Sequence, residues 1–233
     1  MSHILFMRLA GPMQSWGVMS RFSRRDTGKE PSKSGVIGII CAAMGIDRAD
    51  DEHPDLAKLA RAKLGIRVLR GGVLQSDYHT ASNIAKADGG TKDTELSTRF
   101  YLADADFIAA IQSDDRNLLE RVHAALKRPV WQLFLGRKAF VPHFPVYIDG
   151  DLAILESDDL GGVLKKADLP ERLGISIDER RFDKHQRVVL EADNGPEIRQ
   201  DVPLSFGKRQ FTVRRVFTTF ADLKGGESDA IVS

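Results

Sequence analysis

Only one cysteine, Cys41, occurs in the 233 residues, so no internal disulfide or cysteine-rich metal knuckle can form within the chain. It lies inside an apolar run, where a buried structural thiol is the expected role rather than a nucleophile. That run, Gly35 to Ile46, is also the longest apolar stretch and reaches little more than half of the roughly 20 residues needed to span a bilayer. No membrane association is expected. The amino terminus carries no basic segment leading into a signal-peptide core, so the expected location is cytoplasmic. Metal-ligand spacing is missing as well. The six histidines are scattered, without His-x-His, HExxH or a cysteine pair, and neither metal nor other cofactor is expected. "KSG" at 33–35 evokes a phosphate loop, but Ser32 stands where the G-x-x-x-x-G-K-[ST] frame requires glycine.

Charge of one sign is also lacking: the formal net charge is +1, which gives no general attraction for nucleic acid. The average hides segregation. Arg21, Arg24, Arg25, Lys29 and Lys33 cluster against only Asp26 and Glu30, and Lys127 to Lys138 contains no acid. Lys208, Arg209, Arg214 and Arg215 form a third basic group, while Asp47, Asp50, Asp51, Glu52 and Asp55 gather the opposite sign. Each cluster alone reads as solvated surface. Three of them, each beside Gly or Pro, point to a phosphate-binding face.

Hydrophobic residues at 42% support a packed core in one large or two small domains. Residues 3–9 read as a buried strand, and "PSKSGVIGIICAAMGI" as a helix with Val36, Ile37, Ile40 and Ala43 on its apolar face and Ser34 as a possible cap. A second helix is expected at about 54–64, then a strand and a glycine turn in "GIRVLRGGVL". Gln75 to Ser97 is polar with Gly89-Gly90 near its middle, so it projects as a long hairpin or loop. Residues 115–127 form an amphipathic helix stopped by Pro129, with "WQLFLG" and "FPVYI" available to close the sheet. This order fits a split βαβ, ferredoxin-like arrangement of the α+β class. "QRVVLEA", "EIRQDVPLSF" and "QFTVRRVFTTF" look like further strands. The expected division is 1–148 with an inserted arm at about 76–99, and a small, mainly β region at 149–233.

Several residues carry candidate chemistry. "GPMQSWG" offers the Gln14 amide, the Ser15 hydroxyl and the Trp16 ring beside a basic loop, a combination that holds unstacked RNA bases. Burial of Trp16 in the core is the alternative. Lys33 and Ser34 at a helix start offer a cation, a hydroxyl and free N–H groups to one phosphate, or simply end a capped helix. Gly136 lets backbone approach a ligand, and Arg137-Lys138 can hold phosphates. Tyr78-His79 either packs as a hydrogen-bonding pair or stacks on a base and serves as acid and base. With a lysine, that pair would suffice for metal-free RNA cleavage through the 2′-OH.

Together, "FMRLAGPMQSWG", "PSKSGVIGIICAAMGI", "DYHTA", "RFYLADADF", "LKRPVWQLFLGRK" and "VPLSFGKRQF" resemble the CasD family, subunits of the type I-E CRISPR Cascade surveillance complex. The likeness is dense over 3–143, fair over about 200–217 and weak between. It implies a ferredoxin-like (RRM/RAMP-type) core with a projecting β-hairpin thumb. It also implies a non-catalytic role in antiviral defence: binding the crRNA 5′ handle, capping the CasC backbone beside the large subunit CasA, and meeting target DNA only through the complex. By position, Gln14, Ser15, Trp16, Arg21, Arg24, Lys33, Ser34, Tyr78, His79, Arg99, Gly136, Arg137 and Lys138 are the candidate handle-binding residues. Relatives in type I-C systems imply the alternative of a metal-independent endoribonuclease processing precursor crRNA. One departure stands out: the family usually has Ser-Cys-Pro after the Arg-Lys pair, and this chain has Ala139-Phe140-Val141-Pro142.

Overall fold

A computed structural model describes residues 1–17, 23–86, 89–176 and 182–222. The first strand, β1 (His3–Gln14), lacks the alternation of a half-exposed strand because both of its faces are covered. Leu5, Met7 and Leu9 point into one core, Ile4 and Phe6 into another. After the two-residue β2 (Arg24–Arg25) come α1 (Lys33–Met44) and α2 (Pro54–Arg61). Ser32, not Ser34, caps α1: its hydroxyl accepts the Gly35 N–H at 3.2 Å. The chain turns extended at Ala62, so Leu64 belongs to β3 (Lys63–Arg70) rather than to the helix.

The polar arm is a hairpin of β4 (Val73–Ala85) and β5 (Thr91–Ser113). Its second strand runs on for 23 residues into the middle of the molecule. Next come α3 (Arg116–Lys127), β6 (Ile154–Glu156), the short helices α4 (Leu160–Lys165) and α5 (Leu169–Arg172), and the strands β7 (Arg187–Glu191), β8 (Glu197–Ser205) and β9 (Gln210–Phe220). One sheet runs in the order β6-β1-β5-β3-β7-β9-β8, antiparallel along that path, with β2 and β4 also paired to β5. The helices α1 and α3 cover the Leu5–Met7–Leu9 face, and α4 and α5 cover the other. Among the described residues no helix is long and apolar enough to cross a membrane.

Neither "WQLFLG" nor "FPVYI" closes the sheet. The edge beside β1 is taken by β6, and residues 128–150 return along β1 as a loop with one isolated bridge, Met7 to Tyr147. Pro129, Pro142 and Pro145 have no N–H to give to a ladder. The contacts are therefore sporadic: Ser15 N–H to Leu135 O at 3.0 Å, His143 N–H to Ala10 O at 2.8 Å, and Arg8 N–H to Val146 O at 2.9 Å.

A buried ionic cluster joins α1 to the C-terminal strands. The Lys33 ammonium lies 2.9 Å from both Glu191 oxygens, and Glu191 also accepts the Leu64 N–H. Asp201 accepts the Lys33 N–H at 2.8 Å and two bonds from Arg214, at 2.6 and 2.9 Å. Burial acts to raise the Asp201 carboxyl, but the bonds and charge of Arg214 outweigh it and hold the group below the usual carboxylate range. For Lys33, burial prevails over Glu191 and lowers the ammonium pKa.

Arg214→Met should therefore cost about 3–5 kcal/mol in denaturant unfolding, because it leaves a buried carboxylate unpaired. The lowered Asp201 carboxyl also fixes an acid limit. Its contribution is complete above about pH 4, the ordinary carboxylate value, and is lost as pH falls through its native value. Asp201→Asn should flatten the loss of stability below that pH, as measured by unfolding midpoints at successive pH values.

Candidate nucleic-acid interface

A cavity of about 830 Å³ opens where the exit of β1, the half-buried side of α1, the base of the hairpin and the loop after α3 meet. Ser15 and Trp16, Ser34 and Gly35, Arg99, and Gly136 with Arg137 all line it. Candidate stretches far apart in sequence thus share one groove.

Close backbone approach explains the convergence. Gly136 has φ of +97°, and a Cβ there would sit 1.9 Å from the Ser15 carbonyl oxygen. The glycine therefore admits the chain's own β1 exit, not a ligand's backbone. Arg137 is carried into the groove by this crossing. Its Nη2 donates to Phe100 O at 2.9 Å and Arg25 O at 3.4 Å, which anchors the guanidinium at the groove wall. Arg99 is steadied by Nε donating to Ser97 Oγ at 3.1 Å.

Among the described residues, five arginines line the groove (Arg25, Arg48, Arg99, Arg137 and Arg209) against one carboxylate, Asp26. Among the described residues none of the five is ion-paired. Partial burial, and then the neighbouring charges of Arg99 and Arg25, lower the Arg137 pKa against the opposing pull of Asp77 and Asp26. The Arg137 cation is thus held where its charge is under-compensated. An anion in the groove relieves that cost.

Three of the expected RNA-binding residues face inward instead. The Gln14 amide is wholly buried and donates to Leu9 O at 3.1 Å and Ala105 O at 2.7 Å. Its carbonyl accepts the Trp16 indole N–H at 3.1 Å. Trp16 itself is 2% exposed and lies beneath Gly35, where a Cβ would come 2.8 Å from the ring. It offers no face for stacking, and the turn is braced from inside. Lys33 is likewise 2% exposed and ion-paired with Glu191, while the Asp201 carboxylate already occupies the start of α1. The chain supplies its own anion at the site read as a phosphate position.

Tyr78 and His79 do not converge. As neighbours on β4 they point to opposite faces of the hairpin, so no joint acid–base site forms from them. Exposed Tyr78 shares a separate depression of about 260 Å³ with Arg24, Leu96 and Phe100, and the Arg24 guanidinium lies 4.7 Å over the Phe100 ring. Lys138 is exposed beside the groove but does not line it, and Arg21 lies outside the described residues. Sequence reasoning missed Arg25, Arg48, Trp131 and Arg209 as groove residues. Arg25 and Arg209 carried a signal, since both sit in basic clusters. Trp131 had none, because its segment read as a strand.

The family model described as CRISPR-associated protein (Cas_Cas5) matches residues 4–217. The CRISPR system Cascade subunit CasD of Escherichia coli (strain K12) is 28% identical over 187 residues, covering 70% of this chain and 80% of that protein. A crystal structure of a Cas protein superimposes with a TM-score of 0.70 at 33% identity, over 96% of this chain and 98% of the other. A chain of a CRISPR RNA-guided surveillance complex gives 0.68 at 30% identity, over 97% and 95%.

Gly136→Ala tests the crossing of the two backbones. The substitution should destabilise the protein by about 1–3 kcal/mol through strain at positive φ and collision with Ser15. A lowered melting temperature checks it. An unchanged one would mean that the crossing is loose.

Proposed function

The chain belongs to the CRISPR-associated Cas5 family, and from that premise we propose that it is a subunit of a CRISPR RNA-guided surveillance complex whose groove holds the 5′ handle of the crRNA. The observation that carries this reading is the set of five arginines, none ion-paired among the described residues, gathered in one groove against a single carboxylate. Phosphate positioning is what such a surface is suited to. The order β6-β1-β5-β3, with α1 and α3 over one face, is read as a ferredoxin-like core, and the β4–β5 hairpin as its thumb. Neighbouring subunits of the CasC and CasA kinds then flank it, and target DNA meets it only through the assembly.

Within this reading the chain binds RNA without cutting it. The split of Tyr78 and His79 across the hairpin favours binding over the endoribonuclease alternative, which needs an acid and a base at one bond.

Arg99→Glu with Arg137→Glu should lower affinity for a single-stranded RNA bearing the handle of the source genome's own CRISPR repeat by at least 10-fold. The slope of log affinity against log salt should shrink by about 0.7 for each phosphate that the variant no longer neutralises. Fluorescence anisotropy at several salt concentrations reads both. Unaltered affinity would remove the groove from RNA binding. Precursor RNA in EDTA should stay intact with the purified protein, and specific cleavage abolished by His79→Ala would reverse the assignment.

A further inference from the structure

The two ends of the groove differ in chemistry. Arg25, Arg99 and Arg137 occupy the hairpin end, where charge dominates. The other end is lined by Trp131, Phe206 and Phe211, with Arg48 and Arg209 beside them. At about 830 Å³ the whole cavity lies high in the usual range of about 300–1,000 Å³ for small-molecule sites, far larger than one phosphate requires.

The aromatic end is built, not merely exposed. Trp131 is 44% exposed, yet its backbone is fixed on α1: its N–H donates to Ala42 O at 3.2 Å, and the preceding Val130 N–H to Ala43 O at 3.0 Å. An indole mounted in this way is anchored at its backbone, stays accessible, and has only two side-chain torsions to fix when a ring stacks on it. Lining the same cavity, Phe206 and Phe211 pack edge to face at 6.3 Å, and Arg48 Nε donates to Phe206 O at 3.0 Å, holding the turn between β8 and β9. On that turn Arg209 has φ of +53°, a conformation costly for a side-chain-bearing residue, and its guanidinium reaches the groove with no ion pair among the described residues. On α1, Gly38 lies next to the Phe206 ring, so that a Cβ there would meet it at 4.0 Å, in ordinary van der Waals contact.

We propose that Trp131, Phe206 and Arg209 form a nucleobase pocket, in which one unstacked base of the bound single strand lies on the Trp131 indole while Arg209 holds its edge or the adjacent phosphate. The inference rests on the RNA-binding reading above and goes further by naming where a base, as opposed to the backbone, is held. Its occupant is RNA because the pocket is continuous with the unpaired arginine end, so one strand satisfies both: phosphates on Arg99 and Arg137, a base on the ring.

The test uses the full chain, the handle RNA already described, and a series of that RNA with one base removed at a time. Trp131→Ala should weaken binding about 5- to 100-fold with an unchanged salt slope, and Trp131→Phe should keep most of the affinity. One abasic position should weaken the native protein by a similar factor and leave Trp131→Ala indifferent. The chain has only two tryptophans, and Trp16 is buried, so RNA should quench emission in the native protein and not in Trp131→Phe. Gly38→Leu, whose side chain beyond Cβ presses on the Phe206 ring, should weaken binding without altering the salt slope. If the Arg99–Arg137 variant loses RNA while Trp131→Ala and every abasic RNA bind as before, the base pocket is wrong and the RNA-binding reading stands. If neither the arginine pair nor Trp131 matters, both fall. If Trp131→Ala spares RNA binding and only loosens assembly with protein subunits, the pocket is a protein contact and the proposal fails.

Discussion

The Asp201 carboxylate at the start of α1 is the contact on which the rest of the architecture turns. It accepts one backbone N–H from the helix and two bonds from Arg214, and Lys33 beside it reaches Glu191 on β7. The first helix is thereby fixed to three strands that lie more than 150 residues later in the chain. An apolar contact of the same area would tolerate sliding. A hydrogen-bonded ionic cluster with buried members has one geometry, because every displacement leaves a charge without its partner. The floor of the groove, which is the half-buried side of α1, inherits that fixity.

Electrostatic roles are divided accordingly. Lys33 and Arg214, which enter the interior, are matched by carboxylates, and buried Arg67 is held by the Gln186 amide oxygen and the carbonyls of Leu164 and Lys166, whereas among the described residues the arginines of the groove have no ion pair. The near-neutral total of +1 hides that contrast. Net charge therefore says little about this protein. The position of each arginine relative to its nearest acid says most of it.

Much of the fold was legible. The apolar run of β1, the arm with its central Gly-Gly, the α3 helix before Pro129 and the three late strands follow from periodicity and turn chemistry. The segments after Pro129 misled because apolar content resembles a strand even where prolines deny it a ladder. The site was legible by segment and not by side chain. The Gly136-Arg137 loop, the β1 exit and the α1 start do share the groove, yet Trp16, Gln14 and Lys33 turn inward. Whether a residue next to glycines and charges faces out depends on partners such as Ala105, Glu191 and Asp201, and no local pattern announces partners that distant. Trp131 shows the converse, an exposed ring within a stretch that looks like core.

The long β5 strand has a mechanical consequence. Its far half belongs to the arm and its near half lies between β1 and β3, with a single kink at Asp104, where φ is +56°. The strand runs unbroken from one half into the other. The arm is thus a cantilever rooted in the interior, and a lateral push at its end is delivered as torque to the central strands. Leverage of that kind makes the core stiffness of this domain, as much as the chemistry of its surface, a determinant of how firmly the arm can hold what it touches.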